Sequence, residues 1–275
     1  MKLDIAISPC PNDTFIFAYL GLNGFQNREV ELHFHDVEKL NEIALENQEF
    51  TVSKNSFYTI LKLSDSYELL ESGGALGRGC GPLLISNLQT GENQLQNILK
   101  KNRRILIPGC HTTANLLLHL YLNDREINPD EIEFIPMRYD KIINSLKTNS
   151  DSLGLIIHEE RFTFMKEGFH AVRDLGKWWE EKYDLPIPLG GICLRKDKLD
   201  IKEELQESIK ESIHRARQNI SNIMPFIRKH AQSLDDDVIR AHINLYVNDF
   251  SLNQGNEGRE AVRALKEAAI KARLL

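Results

Sequence analysis

Nine short apolar runs, at 3–7, 30–37, 50–53, 68–71, 82–86, 104–107, 132–136, 153–157 and 191–194, constrain this chain more than any other feature. Runs of that length, rich in Val, Ile, Leu and Phe and bounded by polar or turn-forming residues, are strands. Helix-patterned stretches lie between them at 14–20, 37–45, 58–63, 113–122 and 141–146, each with apolar residues three and four apart. Strands alternating with helices predict an α/β fold with largely parallel sheets.

Past Lys198 the pattern turns to helix, over 203–231, 235–247 and 257–273. Pro225 is expected to interrupt the first of these, because it lacks an amide donor and crowds the preceding turn. No repeat, low-complexity tract or Pro/Gly-rich linker divides the 275 residues, so two lobes must interleave. The chain is expected to leave the first lobe near 82–87 and return near 186–196. That gives a larger lobe of 1–87 with 191–275 and a smaller one of 88–190.

With 34 basic and 40 acidic residues the formal net charge is −6, so nothing draws the chain to phosphate backbones and nucleic acid is not an expected partner. The opening residues Met1 to Ile7 read as a strand and not as a signal peptide, and no apolar run is long enough to span a bilayer. The expectation is a cytoplasmic protein without membrane association. Cys10, Cys80, Cys110 and Cys193 form no Cys-x-x-Cys pair and read as reduced thiols.

Five segments can carry chemistry. Ser8-Pro9-Cys10-Pro11-Asn12-Asp13-Thr14 joins a strand to a helix, with Asn12 or Asp13 available as helix cap or as ligand contact. Thr51 to Ser56 makes a second such junction, where Lys54, Asn55 and Ser56 offer an anion site or merely an N-cap. The run 73–82 holds five glycines but neither a P-loop nor a dinucleotide fingerprint, which argues against ATP and NAD and for a hinge or cleft-lining loop. Pro108 to Asn115 repeats the strand, turn and helix arrangement in the second lobe, with Thr112, Thr113 and the amide of Ala114 able to grip a carboxylate.

The fifth segment, Gly154 to Phe162, sets His158 directly after a buried strand. There an imidazole reaches the cleft and can take a proton, or can simply be structural; Glu159 or Glu160 is available to orient it. His-Glu-Glu-Arg lacks the spacing of a zinc helix, so no metal is expected. His33 and His35 read as a solvated sheet face. His214, His230 and His242 read as surface or interface residues of the C-terminal helices, and Trp178 and Trp179 as packing.

In their order these segments are familiar. Ser8 to Phe15, Ser72 to Pro82, His111 to Ala114, Gly154 to Phe162, Pro188 to Gly191 and Tyr246 to Ser251 resemble the motifs of the 1,4-dihydroxy-6-naphthoate synthase family of the futalosine route to menaquinone. The resemblance implies a two-lobed periplasmic-binding-protein-like (type II) α/β fold, with a ligand cleft between lobes and a helical C-terminus. It implies a lyase that converts a small-molecule substrate, cyclic de-hypoxanthine futalosine, to 1,4-dihydroxy-6-naphthoate with no organic cofactor or metal. It further implies His158 as proton acceptor. Asn12, Lys54, Asn55 and Ser56 would contact substrate from one lobe, and Thr112, Thr113 and Ala114 from the other. Chorismate dehydratase, a sister enzyme of the same fold and pathway, and a non-catalytic acid-binding module are the alternatives.

Overall fold

The computed structural model of the protein describes residues 2–25, 28–89, 91–148, 153–231 and 235–275. The chain opens with β1 (Leu3–Ile7), α1 (Pro11–Asn23), β2 (Val30–Phe34), α2 (Val37–Glu46), β3 (Val52–Ser56), α3 (Phe57–Lys62), β4 (Tyr67–Leu69) and β5 (Ala75–Gly77). Next come β6 (Leu83–Ser86), α4 (Leu95–Lys101), β7 (Arg104–Ile107), α5 (Thr113–Asp124), β8 (Glu133–Pro136) and α6 (Ile142–Thr148). They are followed by β9 (Leu153–Ile156), α7 (Glu160–Thr163), β10 (His170–Asp174) and α8 (Leu175–Tyr183). The return strand β11 (Ile187–Arg195) leads into α9 (Lys202–Gln218), α10 (Ile220–His230), α11 (Asp236–Tyr246), α12 (Asp249–Leu252) and α13 (Gly255–Lys271).

Two sheets result. A six-stranded sheet runs β2-β1-β3-β11-β4 with β5 also paired to β11, and a five-stranded sheet runs β10-β6-β9-β7-β8. They are mixed, and not largely parallel as the alternation suggested. Parallel pairing is confined to β1 with β2 and β3, and to β7 with β8 and β9. The crossing strands β11 and β6 run antiparallel to their neighbours. Both crossing strands are nearly all buried, so each is a continuous apolar run whose direction the residue pattern does not encode.

The connections between sheets cross at two glycines. A Cβ on Gly81 would sit 2.3 Å from the backbone of Gly176, so only hydrogen fits where the outgoing and returning chains touch. Arg161 ties this crossing down, donating to the carbonyls of Gly79 and Gly81 and pairing with Asp174 at 2.7 Å.

Helix α1 is the apolar centre of the first lobe: Phe15, Ile16, Phe17, Ala18 and Leu20 are buried, and it packs on α9, α10 and α11. Those helices supply the matching stripe of Leu205, Ile209, Ile213, Ile223, Ile227, Ile239 and Ile243. Among the described residues no helix is long and apolar enough to cross a membrane. The break in the first C-terminal helix falls at Asn219 (φ −134°, ψ 47°), and not at Pro225. Pro225 lies in the second turn of α10, where its missing amide costs one backbone hydrogen bond and the ring stays exposed. Trp178 and Trp179 pack as expected, their indole N–H groups donating to Asp124 and to the carbonyl of Pro186.

Candidate active site

The carboxyl ends of β1, β3 and β9 and the N-terminus of α5 converge on one cavity. Asn12, Lys54, Asn55, Ser56, Thr112, Thr113, Ala114 and His158 all line it, joined by Ser8, Asp13, Cys80, Gly81, Pro82, Leu189, Gly190 and Tyr246. The sequence thus brings its separate strand-to-helix turns to one place, as open α/β sheets do. The glycine-rich run contributes the cavity wall at 80–82 and the short strand β5.

His158 follows β9 with φ +55°, a left-handed backbone that a non-glycine residue keeps only where its surroundings hold it. Its Nε2 is shut off from solvent and has no hydrogen-bond partner among the described residues. Burial pushes the ring's pKa down to about 4, with Asp13 pulling the other way and Lys54 adding to the fall. Burial thus favours the neutral ring and leaves its Nε2 without a protein partner among the described residues. Of the two neighbouring carboxylates that were open to orient the ring, neither Glu159 nor Glu160 bonds it among the described residues. Burial instead raises their own pKa values, to about 7 and about 8.

The carboxylate that acts on His158 is Asp13, at the third position of α1. Its Oδ1 accepts from Lys54 Nζ (2.8 Å) and Asn12 Nδ2 (2.8 Å), and its Oδ2 from the hydroxyl (2.7 Å) and amide (3.3 Å) of Ser8. Neither Asn12 nor Asp13 caps α1: the N-cap is Cys10, followed by Pro11, whose missing amide leaves less to cap. Lys54 is spent within the protein, paired to Asp13 and bonded to the carbonyl of Gly73 (3.3 Å). It neutralises a buried carboxylate and brings no net charge to an anion.

β3 runs on through Lys54, Asn55 and Ser56, all buried, and not only to Ser53 as their polarity suggested. Ser56 is held by Asn41 through its amide (2.9 Å) and hydroxyl (3.0 Å), while Asn55 donates to Leu40's carbonyl and leaves its buried Oδ1 without a partner among the described residues. Ser56 makes no side-chain cap to α3. Across the cavity Thr112 does cap α5, accepting from the amide of Asn115 (3.1 Å). Thr113 and Ala114 line the cavity, and their amides, in the first two helical positions, have no carbonyl within the helix to take them. The Thr113 hydroxyl bridges the sheets, donating to the carbonyl of Leu189 (2.7 Å) and accepting from the amide of Tyr58 (3.3 Å).

A second bridge lies beside it. Glu38 accepts from the His111 amide (3.0 and 3.1 Å) and contacts its Nδ1 (2.9 Å), while Thr59 and Asn41 donate to the His111 carbonyl. Gly109, at φ +139°, makes room: a Cβ there would lie 2.3 Å from the Glu38 carboxyl carbon.

Sequence reasoning missed His242. It is fully buried, not a surface residue, and its Nε2 lies 3.0 Å from Asn12 Oδ1. The signal was present: Val238, Ile239, Ile243 and Tyr246 form the apolar stripe of α11, and His242 falls on it. His33, expected to be solvated, is half-buried, with Asp4 at 3.3 Å across the β1–β2 pair. Cys10, Cys80 and Cys193 are buried free thiols, and Cys110 is free and exposed. Burial raises the pKa of each buried thiol and so removes thiolate character.

Two sheets with crossing strands, a cavity at their facing ends and a helical C-terminus define the periplasmic-binding-protein-like class. Accordingly the fold superposes on the periplasmic aliphatic sulphonate binding protein of Escherichia coli with a TM-score of 0.68 at 10% identity, covering 100% of this chain and 88% of that one. A crystal structure of an Archaeoglobus fulgidus protein matches more closely, with a TM-score of 0.87, 30% identity and coverage of 100% and 98%. The sequence model of the menaquinone biosynthesis family matches residues 3–271, and the chain belongs to that family. It is 41% identical to the 1,4-dihydroxy-6-naphthoate synthase of Thermus thermophilus, over 96% of this chain and 92% of that one. With the enzyme of the same name from Streptomyces coelicolor it shares 34% identity over 96% and 91%.

Proposed function

We propose that the protein acts as a 1,4-dihydroxy-6-naphthoate synthase, a carbon–carbon lyase converting cyclic de-hypoxanthine futalosine to 1,4-dihydroxy-6-naphthoate in the cytoplasm, with His158 as general base. The observation that carries this reading is the bare, buried Nε2 of His158, in one cavity with Thr113 and Ala114, whose amides have no carbonyl within the helix.

Helical amides of this kind hold a carboxylate. A neutral imidazole beside it takes a proton from the sugar-derived part of the substrate, bond shifts release a three-carbon fragment, and aromatisation supplies driving force. General-base help is worth about two to four powers of ten in rate. In this reading the lobes 1–87 with 191–275 and 88–190 close over the substrate and exclude water, which strengthens each polar contact inside. The sheets support two interleaved lobes, one holding β1 to β5 with β11 and the other β6 to β10, so β6 (Leu83–Ser86) goes with the second lobe and all of β11 (Ile187–Arg195) with the first.

The test is to incubate wild type and His158→Gln with cyclic de-hypoxanthine futalosine in chelator-treated buffer and to follow the products by chromatography with mass detection. Dihydroxynaphthoate from wild type alone is expected, with substrate affinity in the variant kept within about tenfold. Substrate returned intact by both proteins overturns the reading. Consumption of chorismate in the same assay would assign the chain to the sister dehydratase.

A further inference from the structure

We infer that His242 is the positioning residue of this site: an imidazole locked by Asn12 in one tautomer, which backs the ring of His158 and fixes its plane. The inference rests on the reading of His158 as the base.

The tautomer follows from hydrogen-bond bookkeeping that starts at Asp13. An ionised carboxylate only accepts. Both Asp13 oxygens receive donors, and one of these is the Asn12 amide nitrogen at 2.8 Å. With its NH₂ end thus assigned, Asn12 presents its oxygen to His242, so His242 must donate from Nε2 across 3.0 Å. The neutral ring then carries no proton on Nδ1, and Nδ1 is buried with no partner among the described residues. A second proton there would create an unpaired interior cation. Burial, and next the neighbouring His158, push the His242 pKa well below its usual value. His242 is thereby held neutral with its proton on one nitrogen.

The packing carries this order to the base. The two imidazoles lie within 13° of parallel at 5.9 Å between centroids, and Tyr139 meets the His158 ring edge-on at 4.9 Å. His242 is itself wedged by Tyr246 at 4.6 Å and Phe162 at 6.2 Å. The groups acting on this pair come from every packed element. Asp13 of α1 and Lys54 of β3 act on His158 by their charge, Tyr139 of the turn before α6 and Tyr246 of α11 pack on the two rings, and Cys10, Glu159 and Arg161 act in turn on Tyr246. His158 makes no hydrogen bond through Nε2 and stands on left-handed backbone, so ring contacts must set its aim. Misplacing a catalytic group by about 1 Å costs on the order of a hundredfold in rate.

Two measurements test this on the full chain. In the first, histidine-labelled protein is examined by NMR, with the His242 ring identified through its proximity to Tyr246 and Phe162. The expected signature is a protonated Nε2 and a bare Nδ1, unchanged from about pH 8 to 5, across the usual histidine pKa of about 6.5. A proton on Nδ1, or titration near that usual value, overturns the inference whether or not the protein shows activity. The second compares His242→Phe, which keeps a flat ring but no bond to Asn12, with His242→Gln, which keeps a donor but no ring. Both should lose about ten- to a hundredfold in kcat with KM within about threefold. In the Gln variant the acid limb of kcat/KM against pH should also move up toward about 6.5 as water reaches His158. Folded variants with wild-type kcat and acid limb sink the proposal. Wild type that yields no product sinks the synthase reading instead, and the NMR signature still decides the tautomer.

Discussion

Replacing Glu159 by glutamine removes a charge that the folded protein holds at a cost. The residue is 5% exposed, and neither carboxylate oxygen has a hydrogen-bond partner among the described residues. Burial, with a small addition from Asp140, lifts its pKa from 4.5 to about 7. Because the folded value lies above the unfolded one, its contribution to stability is fully present below about pH 4.5. It is lost as the pH rises through about 7 and is flat beyond. The shift corresponds to about 3 kcal/mol. Glutamine cannot ionise, and the cost of burying its amide is the same at every pH. Urea unfolding of both proteins at pH 5 and pH 8.5 gives the comparison, since Glu160 and the other titrating groups are common to both. Wild type should lose about 3 kcal/mol more than Glu159→Gln between the two conditions. Parallel losses would refute the assignment of a buried, protonated Glu159.

Three further substitutions follow from the geometry. Lys54→Met strands Asp13 (2% exposed) without its cation and should cost about 3–5 kcal/mol in urea unfolding, most of it recovered in Lys54→Met/Asp13→Asn. Thr113→Val leaves the Leu189 carbonyl and Tyr58 amide unpaired, at about 1–3 kcal/mol, and should raise KM about tenfold with a smaller change in kcat. Glu38→Gln weakens the bridge to His111 by about 1.5–3 kcal/mol, and stopped-flow measurement should show product leaving at least about tenfold faster.

The apolar runs of β1 and β7 mark those strands to the residue, because both sit in sheet interiors where burial on each face makes the run continuous. The last three residues of β3 are polar and read, from sequence alone, as the junction into the next helix. They stay in the strand because Asp13, Leu40 and Asn41, distant in sequence, bond Lys54, the Asn55 side-chain amide nitrogen and Ser56. β10 escaped notice because His170, Arg173 and Asp174 dilute its apolar content along a half-exposed edge. Local wording was enough to point at His158, Ser56 and the α5 turn. The pairing of Asp13 with Lys54 and of Asn12 with His242 is set by the packing of α1 against β3 and α11, which no local pattern records.

The place of β11 in the first sheet bears on how the chain is made. This strand lies between β3 and β4 and also carries β5, so β3 has an open edge until Ile187–Arg195 has been synthesised. All five strands of the second sheet emerge in that interval and can pair among themselves. On the ribosome the smaller sheet is therefore complete while the larger one still exposes a strand edge, the feature most prone to wrong pairing in a nascent chain. The polar Lys54, Asn55 and Ser56 at the end of β3 make that waiting edge less adhesive, so residues that later face the cavity also protect the unfinished protein.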